Sequence, residues 1–195
     1  MKHIKKVVLL IPFFILSCNS SKYLASYEPI NVFLETQKID KNKVHILQSD
    51  KEENRQALRI FNGGEGAEHY IDPTDPTDYT DGLYVKKHWK KLYKEYVNDT
   101  LRRHWKKEDF PNYNFILEKG TGLMLTRIVI DKYAGTGIHE WFTISEPMFY
   151  FKRKYILFSF LQGYSSGGGS SNLVIMKKEK NQWKVVRVMA DYIYN

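Results

Sequence analysis

Residues 155–189 read YILFSFLQGYSSGGGSSNLVIMKKEKNQWKVVRVM. Two aromatic and β-branched runs, Tyr155–Gln162 and Leu173–Lys178, flank a glycine- and serine-rich connection. A third run, Trp183–Met189, follows the polar Glu179–Gln182. Short apolar runs joined by short polar turns predict an antiparallel meander. Ile156, Phe158 and Phe160 share one face of their strand, and Trp183, Val185 and Arg187 share a face of theirs. Within the connection, Gly163-Tyr164-Ser165-Ser166-Gly167 fits G-x-S-x-G. A nucleophile elbow needs a helix after its serine and a histidine further on. Here three glycines and a strand follow, and no histidine lies beyond Ser165. The connection therefore reads as a long flexible hairpin loop without a nucleophile.

Outward from these hairpins, Phe115–Glu118, Leu123–Asp131 and Trp141–Ile144 read as further strands, separated by Gly120, Gly122, Gly135 and Gly137. The half before Phe110-Pro111 is helical. Val85, Trp89, Leu92, Tyr93 and Tyr96 fall at helical spacing and predict a helix over 83–97, with Lys87, Lys90, Lys91 and Lys94 opposite. Leu101, His104 and Trp105 continue out of phase and predict a kink or a second helix near Asp99. Ser49-Asp50-Lys51-Glu52 fits a capping box for a helix from Asp50 to about Phe61, ended by Gly63 and Gly64. Val32–Leu34 and Val44–Leu47 read as short strands. Residues 64–82 are a loop rich in Gly, Pro, Asp and Thr, with Asp81 expected to cap the helix that follows. The fold class is α+β: N-terminal helices packed on one face of a twisted antiparallel sheet formed mainly by residues 115–190, in one globular domain spanning 25–195.

The chain begins MKHIKKVVLLIPFFILSC. Lys2, Lys5 and Lys6 form a basic n-region, and Val7–Leu16 is an apolar run too short to span a bilayer as a helix. Ile15-Leu16-Ser17-Cys18 resembles a bacterial lipobox. The resemblance implies a leader over 1–17, a lipid on Cys18, and a polar tether over 18–24. Asn19, in place of an aspartate, implies outer-membrane attachment facing the periplasm. Stable anchoring needs more than one acyl chain, which this modification supplies. Cys18 is the only cysteine, so no disulfide forms and stability rests on a core. Hydrophobic residues make up 43% of the chain, enough for such a core. Of the formal charge of +8, the three leader lysines carry three, leaving a mildly basic +5 that does not call for nucleic acid.

The segment ISEPMFYFKRKYILFSF, the glycine-rich turn and LVIMKKEKNQWKVV together resemble envelope lipoproteins of Bacteroidota over about residues 140–190. In those proteins a K-x-x-x-x-W-K hairpin completes the sheet. Many carry cysteines in the turn where this chain has serines, and the family transfers no activity. The order of helices followed by a curved sheet is also similar to the cone-like nuclear transport factor 2 superfamily. That likeness implies a small-ligand-binding protein or weak enzyme with a pocket between helix 83–97 and the sheet, lined by Arg127 with Glu140 or Glu146. Glu68, His69 and Asp72 form an acidic-histidine group that could hold a divalent metal, although their spacing matches no zinc or calcium pattern. Lys87, Lys90, Lys91 and Lys94 are the candidate contact to anionic headgroups or an acidic envelope partner. No cofactor is implied beyond the lipid on Cys18.

Overall fold

The computed structural model describes residues 21–63 and 78–191. They run in the order α1 (Glu28–Thr36), β1 (Val44–Gln48), α2 (Asn54–Phe61), α3 (Lys86–Tyr96), a 3₁₀ turn (Lys107–Asp109), β2 (Asn114–Glu118), α4 (Leu123–Lys132), β3 (Glu140–Ile144), β4 (Met148–Tyr150), β5 (Tyr155–Tyr164), β6 (Gly169–Glu179) and β7 (Gln182–Ala190). The class is α+β, as the patterning predicts. The expected leader, Cys18 and the Glu68–His69–Asp72 group lie outside the described residues.

β5, β6 and β7 form the expected antiparallel meander, with Phe158 opposite Val174 and Val174 opposite Val188. Alternation along these strands splits the interior in two. Ile156, Phe158, Phe160, Val174 and Met176 enter one core. Leu157, Leu173 and Ile175 enter the other. A register shift between Ile175 and Met176 leaves Trp183 and Val185 with the first core but sets Arg187 opposite Ile175. There Arg187 pairs with Asp81 at 2.8 Å. The common face expected for Trp183, Val185 and Arg187 is lost because a bulge reverses the alternation. The connection is also shorter than expected. Gly163 and Tyr164 belong to β5 and β6 begins at Gly169, which leaves only residues 165–168 as the turn.

Helices cover both faces of the sheet, where the sequence predicts one. Pro29 starts α1, and Ile30, Phe33 and Leu34 fall on one stripe and are buried. Phe33 meets Phe158 and Phe160 edge-on, at centroid distances of 5.5 and 5.1 Å. Burying such a side chain contributes roughly 1.5–3 kcal/mol. Val32–Leu34, read as a strand, is therefore helical because its neighbours Ile30 and Pro29 complete a helical stripe. α2 and α3 lie across the other face, where Leu58, Phe61, Trp89, Leu92 and Tyr96 meet Met148, Tyr150, Leu157 and Ile175. α2 begins at Asn54 instead of Asp50. Residues 49–52 are held extended, because Ser49 bonds to Glu118 and Trp105 and the Glu52 amide donates to the Ile144 carbonyl. Asp81 does not cap α3; Val85 stands at that position. No helix starts at Asp99, and Trp105 crosses to the α1 core, which explains its change of phase.

The largest departure is the other half of the sheet, whose strand order is β2-β1-β3-β5-β6-β7 with β4 on β5. β1 pairs parallel with both β2 and β3, so the sheet is mixed. Parallel neighbours need a crossover. Leu123–Asp131 forms α4 in the crossover from β2 to β3, the two strands that flank β1, where a strand is expected from its aliphatic run. Leu125, Val129 and Tyr133 recur every four residues and pack on Ile46 and Trp141. Among the described residues no helix is long and apolar enough to cross a membrane.

Candidate functional site

The N-terminal segment is built into the domain. Tyr23, expected in the tether, is buried and bridges to Met148 at the open edge of β4. Its hydroxyl donates to Asp99, and Lys22 Nζ meets the same carboxylate at 3.0 Å. Arg103 completes the set at 3.2 Å. Burial pushes the Asp99 carboxyl up, but the hydrogen bonds from Tyr23, Lys22 and Arg103 outweigh it and hold the group well below the usual carboxylate range. Tyr96 of α3 donates to the Lys22 carbonyl at 2.9 Å and accepts from the Phe149 amide at 3.1 Å. Arg153 donates to the Ser21 carbonyl at 2.9 Å. Four elements thus grip residues 21–23 just after the expected lipid site. A polar cleft of about 100 Å³ opens beside the clamp between Glu53, Asn54, Arg55 and Asp99. It has room for a few waters only.

The three residues expected to share a pocket are apart. Arg127 is exposed on the outer side of α4 and lies 3.7 Å from Asp131. Glu146 is buried with Lys51, Nζ to Oε2 2.7 Å, with the two side chains 4% and 6% exposed. Lys51 sits 4.1 Å from the Tyr27 ring centroid and 4.2 Å from that of Trp105, and the Tyr27 hydroxyl donates to Glu146 at 3.0 Å. Burial lowers the Lys51 pKa; the hydrogen bond to Glu146 opposes it. Glu140 lies at the start of β3, where it accepts from Gln162 at 2.6 Å and faces His45 Nδ1 at 3.0 Å. His45 Nε2 lies 2.8 Å from the Asp40 carbonyl. Both partners of the ring are acceptors, an arrangement that favours the doubly protonated ring. Nothing in the local sequence pairs His45 or Lys51 with a carboxylate 95 residues away. The space between α3 and the sheet, where the pocket was expected, is filled by Trp89, Leu92, Tyr96 and Tyr150.

The lysines of α3 divide. Trp89, Leu92 and Tyr96 are buried, and Lys87, Lys90, Lys91 and Lys94 are exposed. The stacking of His88 on Phe151, with centroids 4.3 Å apart, fixes which flank faces the β4–β5 turn. Ser165 is held by its amide, which donates to the His139 carbonyl at 2.8 Å, and a turn and β6 follow it in place of a helix. Among the described residues no group of three His, Cys, Asp or Glu is placed to hold a metal. No protein-family model, curated protein or solved structure matches this chain.

Proposed function

We propose that this chain is a lipid-anchored protein of the cell envelope, attached through Cys18 at the outer membrane and facing the periplasm. It works there as a non-catalytic binding or scaffolding module. The observation that carries this reading is the clamp on residues 21–23, which begins three residues after a lipobox cysteine. An anchor followed by so short a free interval holds the whole domain against the bilayer surface. A lipid tether meant to let a domain swing would leave a longer free linker. The basic n-region, apolar run and Ile15-Leu16-Ser17-Cys18 support the anchor from the sequence side.

Mass spectrometry of the N-terminal peptide from the membrane fraction tests the proposal. The expected result is an acylated Cys18 as first residue, with Cys18→Ala protein losing both the modification and mature membrane attachment. Recovery of unmodified Cys18 on protein free of the membrane overturns it.

A further inference from the structure

We infer that one particular face of the domain seats on anionic lipid headgroups: the turn Phe151–Lys154 together with Lys87 and Lys91 of α3. The inference deepens the anchored reading above and rests on it. Ser21 lies three residues from Cys18, a span of at most about 11 Å. The Ser21 carbonyl is the acceptor of Arg153, so this turn is the part of the fold tied to the anchor point.

The turn is built for charge at the expense of backbone comfort. Phe151, Lys152 and Arg153 have φ of 45°, 54° and 63°. Residues with a Cβ disfavour that left-handed region, and glycine or asparagine would suit it better. Basic side chains stand there instead, and Lys152, Arg153 and Lys154 are all exposed. The Arg153 guanidinium carbon lies 3.7 Å from the Phe149 ring centroid, so the ring fixes the guanidinium that donates to the Ser21 carbonyl. Phe151 stacks on His88, which brings α3 alongside. Lys91 follows His88 by one turn and Lys87 precedes Lys91 by one turn, so both continue the patch. Lys90 falls about 160° around the helix from His88 and does not belong to it.

Several basic side chains elsewhere on the surface are paired, while others, such as Lys38, Lys90 and Lys180, have no carboxylate partner among the described residues. Lys177 and Lys184 share Glu179, Lys132 binds Glu118, and Arg187 binds Asp81. No described carboxylate pairs with Lys87, Lys91, Lys152, Arg153 or Lys154. A cationic face tied by Arg153 to Ser21, itself within about 11 Å of the lipidated residue, meets headgroups before any other macromolecule. Near an anionic leaflet each such charge is worth about fivefold in association.

The test uses the full chain purified from membranes and reconstituted in two kinds of vesicle, one containing phosphatidylglycerol and one purely phosphatidylcholine. Lysine acetylation is read by mass spectrometry. On phosphatidylglycerol, Lys87, Lys91, Lys152 and Lys154 should be protected several-fold, and the protection should vanish near about 0.5 M salt, where screening is strong. Lys90 and Lys38 should label equally on both vesicles. A triple variant, Lys152→Asn, Arg153→Asn and Lys154→Gln, suits the left-handed backbone and should stay folded. It should lose the protection at Lys87 and Lys91. In a Cys18→Ala background the same triple change should weaken phosphatidylglycerol-dependent flotation on the order of a hundredfold. Unchanged protection in the triple variant, equal protection on both vesicles, or cross-links from this face to an envelope protein without vesicle protection would overturn the inference. The two readings fail separately. An anchored protein with evenly labelled lysines removes the face and keeps the anchor; salt-sensitive protection with an unmodified Cys18 does the reverse.

Discussion

Breaking the Lys51–Glu146 pair should be costly from either side, by amounts that differ with pH. The two side chains are 6% and 4% exposed and meet at 2.7 Å. Removing one partner of a buried pair costs about 3–5 kcal/mol, because the survivor is a buried, uncompensated charge. The survivor has an escape, which is to change its protonation state. In Glu146→Gln, Lys51 can shed its proton; doing so at pH 7 against an ordinary lysine value near 10.4 costs about 5 kcal/mol at most. The penalty of Glu146→Gln should therefore shrink as pH rises toward 10. The double variant Lys51→Met/Glu146→Leu removes both charges and should sit within about 1 kcal/mol of the parent, or above it. Urea unfolding of the four proteins across pH 5 to 10 closes the cycle. At pH 7 each single variant should melt about 10 °C lower, at about 2–4 °C per kcal/mol for a chain of this size. Single variants within about 1 kcal/mol of the parent, or a Glu146→Gln penalty that does not move with pH, would refute the reasoning.

A methyl at Gly163 would lie 2.3 Å from the Trp141 ring, so Gly163→Ala should cost about 1–3 kcal/mol in urea unfolding, whereas Ser165→Ala in the same motif should stay within about 0.5 kcal/mol. Burial pushes the His45 pKa down, but its bonds to Glu140 and the Asp40 carbonyl outweigh it and leave the value raised; that of Glu140 is lowered, chiefly by His45. The raised histidine adds stability that is complete below its ordinary 6.5 and lost as pH rises through the folded value. The lowered glutamate adds stability present above its ordinary 4.5 and lost as pH falls through the folded value. Urea midpoints should therefore peak between those two values and decline on the alkaline side, and His45→Gln should flatten that decline. Asp99→Asn removes the charge that holds Tyr23, Lys22 and Arg103 and should cost about 1.5–3 kcal/mol; limited proteolysis should then cut near residues 21–23 before the domain unfolds, and a protected segment would count against the clamp.

The sequence by itself determined the elements whose signal is local. Ile156, Phe158 and Phe160 alternate, and Trp89, Leu92 and Tyr96 recur at helical spacing, so β5 and α3 were legible from a few neighbours each. The tertiary structure decided what depends on partners far along the chain. Ile46 is a central strand residue only because Ile116 and Trp141 arrive on either side of it. Leu123–Asp131 is a helix because parallel β2 and β3 need a crossover; its β-branched run suits a strand as well, and only Tyr133 beyond it extends the four-residue spacing. Lys51 and Glu146, or His45 and Glu140, stand 95 residues apart, and no spacing rule joins them. The basic face follows the same logic. Lys152-Arg153-Lys154 was visible as a charged turn, but its place beside Ser21 and His88 comes from chain closure. Local periodicity reports which side of an element is buried; which elements then meet is set by non-local packing.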